Sequence, residues 1–161
     1  MKNLPVQELT REAFRPYGDY VELIRPDSEF DPSRPVSFTP DMLTLDLQRF
    51  TVASFSICRV SPRERVVNIS EYHSYTAEGI CPLDGDILIH VGKPGPKPMA
   101  DTMAVFKVPY GTMVTLKPGV YHMGPFSDCD KPVNVIIVLP VRTYANDCVF
   151  VKHEEGQDFS F

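Results

Sequence analysis

The segment His73-Ser-Tyr75-Thr-Ala-Glu78-Gly-Ile-Cys-Pro-Leu-Asp84-Gly85 decides how this chain is read. Residues two apart on a strand share a face, so His73 and Tyr75 are expected to point the same way, into the fold. Glu78 follows in the next stretch. Asp84-Gly85 is a strong hairpin-turn signal between strands expected over 80–83 and 86–91. A second segment, Pro118-Gly119-Val-Tyr-His122, supplies a histidine that only the fold can bring to the first. Two imidazoles and a carboxylate, His73, His122 and Glu78, make a candidate metal site. Such a set suits Mn, Fe, Ni or Zn better than Mg or Ca. An ion there polarises a substrate oxygen and helps deprotonate a hydroxyl.

Outward from this segment the chain reads as all-β. Sixteen prolines and nine glycines fall between short apolar runs, which is how a β chain is punctuated. One short helix is expected, with Thr10 as its N-cap, residues 11–15 as its body and Pro16-Tyr17-Gly18 as its stop. Strands are expected over 20–24, 48–60, 66–75, 103–108, 112–116, 133–141 and 147–152. In 48–60 the apolar parity slips between Phe50/Val52 and Phe55/Ile57, which a β-bulge near Ala53-Ser54 would explain. The run 133–141 is apolar enough for a central strand covered on both faces. Residues 25–40, with Pro26, Pro32, Pro35 and Pro40, read as an extended loop. The tail ends Phe159-Ser-Phe161, apolar enough to dock. Some ten short strands suggest a single domain, residues 1–161, built as a closed barrel or jelly roll, where closure manages the strand edges.

Composition narrows the function. The chain has 161 residues, 43% hydrophobic and 23% charged, with a net charge of −5. It is long enough to bury a real core. No basic stretch exists to neutralise phosphates, which argues against nucleic acid. The longest apolar run is too short to span a membrane. No secretion signal is apparent at the N-terminus, and Cys58, Cys81, Cys129 and Cys148 show no zinc-like spacing. They read as reduced structural thiols of a cytoplasmic protein. A small anionic metabolite remains a natural ligand, because a few arginines or lysines outweigh a mildly acidic surface locally. Arg59, Arg65, Lys107 and Lys117 lie near the motifs. Arg59, at the end of the long strand, is the best candidate for a carboxylate clamp, with Tyr75 and Lys117 as further substrate-binding candidates. His90 reads as a structural or secondary pocket residue and His153 as a solvated one.

The two segments together resemble the halves of a cupin metal motif, with Tyr75 standing where a second histidine is usual. Within the cupin superfamily the chain resembles the ureidoglycolate lyase (ureidoglycolate hydrolase) family. The resemblance rests on Leu9-Thr10-x-Glu12-Ala13-Phe14-x2-Tyr17-Gly18-Asp19-x-Val21-Glu22, on Ser56-Ile57-x-Arg59-x2-Pro62, and on Glu71-x-His73. Pro82-Leu83-x-Gly85, Tyr121-His122-x2-Pro125 and Asn146-Asp147-Cys148 extend it. It implies a cupin-type β-barrel, usually a homodimer, that splits ureidoglycolate into glyoxylate and urea in allantoin and purine degradation. It also implies a divalent metal, nickel, or a metal-free pocket. His73 and His122 are then the acid–base pair, Glu78 a ligand or base, and Arg59 the carboxylate partner. The chain departs from the pattern at residues 25–40, which lack an Asn-Gly segment, at Met123 in place of a histidine, and at Glu78 in place of a glutamine. Two other readings use the same pocket: a cupin isomerase or oxygenase, and a non-enzymatic cupin that binds a small acid or sugar.

Overall fold

A computed structural model describes residues 1–24 and 30–161. Of the loop expected over 25–40, residues 25–29 lie outside the described residues, and 30–40 form neither helix nor strand. One antiparallel sheet runs in the order β3 (Gly18–Glu22), β10 (Thr112–Leu116), β7 (Glu78–Pro82), β12 (Val133–Pro140) and β4 (Ala53–Val60). A second runs β11 (Phe126–Ser127), β8 (Ile87–Gly92), β9 (Met103–Val108) and β2 (Val6–Glu8). Two small sheets complete the fold: β1 (Lys2–Asn3), β14 (Phe159–Ser160) and β5 (Val66–Val67) in one, β13 (Val149–Lys152) and β6 (Ile69–Tyr72) in the other. The two large sheets face each other as an open jelly-roll sandwich and, among the described residues, do not close into a barrel.

The core sits where strand alternation puts it. Ile80, Val114, Leu116, Val135 and Ile137 of the first sheet meet Ile87, Ile89, Val91, Phe106 and Val108 of the second. The opposite face of the second sheet, with Leu88 and Val105, is covered by Val67 and Phe159 from the small sheet. Strand β8 is therefore buried at every residue. The tail docks as expected, with Phe159 fully buried. The single early helix, α1 (Arg11–Phe14), starts where expected, and the Thr10 hydroxyl accepts the Ala13 N–H. A second single-turn helix, α2 (Thr143–Asn146), follows β12. Among the described residues no helix is long and apolar enough to cross a membrane.

Four expectations are corrected. Asp84-Gly85 joins strands of different sheets, so it is a crossover and not a hairpin: β7 pairs with β10 and β12, β8 with β9 and β11. The parity slip before β4 needs no bulge. The strand begins only at Ala53 and pairs without interruption with β12, while Phe50 and Val52 precede it. The strand expected over 66–75 breaks into β5 and β6 and ends at Tyr72. In β12, Asn134 and Ile136 are half-buried, so its first half is covered on one face only.

The expected solvated His153 is in fact buried, stacked on Phe159. Its Nδ1 donates to the Gln157 carbonyl at 3.2 Å, which leaves Nε2 to accept from the Ser70 hydroxyl at 2.9 Å. Ser70 Oγ in turn accepts from His90 Nε2 at 3.4 Å. All three groups are then neutral, and His90 Nδ1 keeps a lone pair with no partner. Burial, reinforced by the nearby His122, His153 and Arg63, holds the His90 pKa down at about 3. Its ordinary value is 6.5, so between those limits the unfolded chain binds a proton that the folded one refuses. Stability contributed by a neutral His90 is lost as pH falls through that window. Replacing His90 with Leu is expected to raise the melting temperature relative to wild type progressively from pH 7 to pH 4. A difference between the two proteins that stays constant with pH would show that His90 is not held neutral.

Candidate metal centre

Two short backbone contacts bring the distant motif segments together. Glu71, on β6, and His122 exchange backbone hydrogen bonds of 2.6 and 2.9 Å, although His122 belongs to no strand. The Gly119 N–H donates to the carbonyl of His73 at 2.7 Å. Gly119 has φ of +79°, the left-handed region where glycine carries no Cβ penalty. The Pro-Gly turn is thus the piece that docks the second segment onto the first. Glu78 comes from the first position of β7, and its parity is that of Ile80, which faces the core.

His73, Glu78 and His122 are all buried. The carboxylate Oε2 lies 3.2 Å from His73 Nε2 and 2.6 Å from His122 Nε2. Each ring is fixed from behind. His73 Nδ1 donates to the Asp147 carbonyl at 2.5 Å and His122 Nδ1 to the Val120 carbonyl at 2.9 Å. A backbone acceptor at Nδ1 places the lone pair on Nε2, the tautomer a metal-binding histidine uses. His122 Nε2 approaches Glu78 closely but makes no hydrogen bond. The three ligand atoms lie within 4.8 Å of one another. A cation about 2.0–2.2 Å from each fits that spacing.

Without a cation the three groups titrate as one unit. Burial pushes the Glu78 carboxyl up, but the charge of the two imidazoles and the hydrogen bond with His73 more than reverse it, to about 2. Burial pushes the His122 imidazolium down, and Glu78 more than reverses that, to about 9. His73 moves up for the same reasons, limited by repulsion from His122. The cluster is a buried carboxylate that demands positive charge, from protons or from a metal.

The other expected site residues lie elsewhere. Tyr75 follows the end of β6 and does not share the face of His73. It is 55% exposed and lies under the guanidinium of Arg49. The cause is Asp147, whose carboxylate accepts the backbone N–H groups of Ser74 and Tyr75 at 2.7 and 2.8 Å and turns the chain out of the strand. Arg59 is on the outer face of β4, beside Phe55 and Ile57, and donates to Asn134 Oδ1 at 3.0 Å. The inner face of β4 belongs to Ser56 and Cys58. Lys117 is exposed and donates to the Arg15 carbonyl at 2.6 Å. Lys107 and Arg65 pair with Asp86 and Asp128. None of these cations is brought to the cluster.

Other residues are. Glu71 accepts the Cys148 thiol at 2.9 Å. Burial and this carboxylate push the Cys148 pKa up to about 12. Cys58, on the inner face of β4, is pushed up by burial and feels the charges of Arg63, Glu78 and Glu71. Tyr144, from α2, is likewise pushed up by burial. The quoted Glu71-x-His73 and Asn146-Asp147-Cys148 held part of this wall. No spacing marked Arg63 or Tyr144.

A jelly-roll sandwich with two histidines and a carboxylate converging inside it defines a protein with a candidate metal centre. The model of the ureidoglycolate lyase family matches residues 1–158, and the chain belongs to that family. No curated protein matches it. Among solved structures, oxalate decarboxylase from Bacillus subtilis, studied for its Mn(II) centres, is similar at 14% identity. It covers 62% of this chain and 23% of that one, with a TM-score of 0.45. The same enzyme at pH 4.6 is similar at 13% identity over the same shares, with a TM-score of 0.45. The chain thus spans about a quarter of the length of the solved structures it matches.

Proposed function

We propose that this protein is a carbon–nitrogen lyase acting on ureidoglycolate, or a closely related small hydroxy acid, to give glyoxylate and urea. One observation carries the reading: in a chain of this family, two buried imidazoles pinned at Nδ1 present Nε2 to a single buried carboxylate. His73 Nε2, His122 Nε2 and Glu78 would hold one divalent cation, nickel by resemblance, with Mn, Fe or Zn as alternatives. When bound, such an ion supplies a Lewis acid for the carbinol oxygen.

The reaction needs one proton moved. The carbinol O–H is deprotonated, its electron pair forms the aldehyde C=O, the C–N bond breaks, and the departing nitrogen takes a proton. Glu78 is held too firmly as an anion to be the base. His73 and His122, aimed at Glu78 through Nε2, serve as ligands in preference to the acid–base pair read from sequence. Glu71 stands outside the ligand set and is steadied by a thiol that stays protonated. It takes the carbinol proton and returns it to the urea nitrogen, so the balance closes without a co-reactant. Purified protein supplied with Ni or Mn is expected to release glyoxylate and urea in equal amounts from ureidoglycolate. No release with any of the four metals removes this reading. Stoichiometric iron with oxygen uptake would point to an oxygenase instead.

A further inference from the structure

Arg63 is held in place but has no acidic partner among the described residues. Its Nη1 donates to the Pro125 carbonyl and its Nη2 to the Gly124 carbonyl, both at 2.9 Å. The guanidinium carbon sits 3.8 Å from the centroid of the Phe126 ring. Each of those bonds uses one N–H. The Nε–H and the second N–H of each terminal nitrogen have no protein acceptor among the described residues. Two carbonyls and an aromatic face neutralise no charge, yet they fix the plane of the fork. This is unlike Arg65 and Lys107, whose charges are met by Asp128 and Asp86.

The place matters as much as the isolation. Gly124 and Pro125 are two and three residues beyond His122, so the loop leaving the cluster carries the arginine. Cys58, on the inner face of β4, lies within the fields of both Arg63 and Glu78. Two hydrogen bonds tie the guanidinium to the loop that leaves His122. The geometry points to Arg63 as the anchor for the carboxylate of an anionic substrate, held beside His73, Glu78 and His122. The role expected of Arg59 passes to an arginine four residues on, beyond the end of β4 at Val60, where the carbonyls of Gly124 and Pro125 hold it. Planar bidentate pairing with a carboxylate is what a fixed guanidinium does best. Pre-fixing it also lowers the ordering cost of binding. This rests on the cluster being the reaction centre, but not on which hydroxy acid is the substrate.

The test uses glycolate and its uncharged amide, glycolamide, as binding probes, measured by titration calorimetry on proteins of equal metal content. Wild type is expected to prefer glycolate at least about tenfold, a typical value for a charge-assisted pair. Arg63→Gln is expected to abolish that preference, and Arg59→Gln to leave it intact. Arg63→Lys, which keeps the charge and loses the fork, should retain part of it and guards against a Gln variant that misfolds. Preference retained in Arg63→Gln, or absent from wild type, overturns the proposal and leaves Arg63 as a clamp on the 124–125 loop. Glycolate preference that depends on Arg63, with no turnover of ureidoglycolate, would keep the anchor and remove the lyase reading.

Discussion

Replacing Glu78 with Gln is expected to lower kcat/KM by about 10²- to 10³-fold, the range typical of losing one preorganised electrostatic group at a reacting centre. The side chains are nearly isosteric, so the change tests charge and not shape. Among the described residues Glu78 is the only anion paired with either imidazole. Its negative charge is what raises both histidine pKa values against their burial. Without it the imidazoles revert to neutral at ordinary pH, and a cation loses one anionic ligand of three. Metal content per protomer is therefore expected to fall along with activity, and the far-UV spectrum to stay the same. The stability cost is smaller than for most broken buried ion pairs, which run at about 3–5 kcal/mol, because the histidines can shed their protons. The substitution is also a direct test of family usage, since the resemblance puts Gln at this position. Activity and metal content undiminished in Glu78→Gln would mean that the chain works as a Gln-type lyase. The carboxylate would then be an ornament of the pocket.

The cluster is legible in sequence, but its surroundings are only partly so, for a physical reason. His73, Glu78 and His122 announce themselves by residue type and by the Pro-Gly turn between distant segments. That turn needs Gly119 for its left-handed φ, a requirement that leaves a mark in sequence. Tyr75 was misplaced because strand parity was carried past Tyr72. What ends the strand is the Asp147 carboxylate, 72 residues away along the chain. Arg59 stands out by its position at the strand end, and only the register with β12 shows that its parity faces outward with Asn134. The Asp84-Gly85 turn was locally correct but gave no hint that its two strands enter different sheets. In each case a local signal was sound, and a partner distant in sequence decided its meaning.

The same row-by-row logic makes Gly18→Ala the most damaging single methyl expected in the fold. A Cβ at Gly18 would lie 1.6 Å from the backbone oxygen of Thr115 and 3.2 Å from the Phe14 ring. No rotamer relieves a clash between a Cβ and a backbone carbonyl, so β3 and β10 must move apart. A cost above about 4 kcal/mol is expected, in the range reserved for severe core or backbone defects. That is a large part of the roughly 5–15 kcal/mol available to a domain. The damage reaches the site, because Leu116 pairs with Gly18 on one side and with Glu78 on the other. The three residues form one row across the sheet, so displacing β10 displaces the carboxylate on which both imidazoles depend. Urea unfolding should show a sharply lowered midpoint, or no folded protein at 37 °C, and whatever fraction folds should bind metal weakly. Gly95→Ala is the control, since a Cβ there meets nothing closer than 3.9 Å. If Gly18→Ala matches that control, the β3–β10 register, and with it the row that sets Glu78, is not as described.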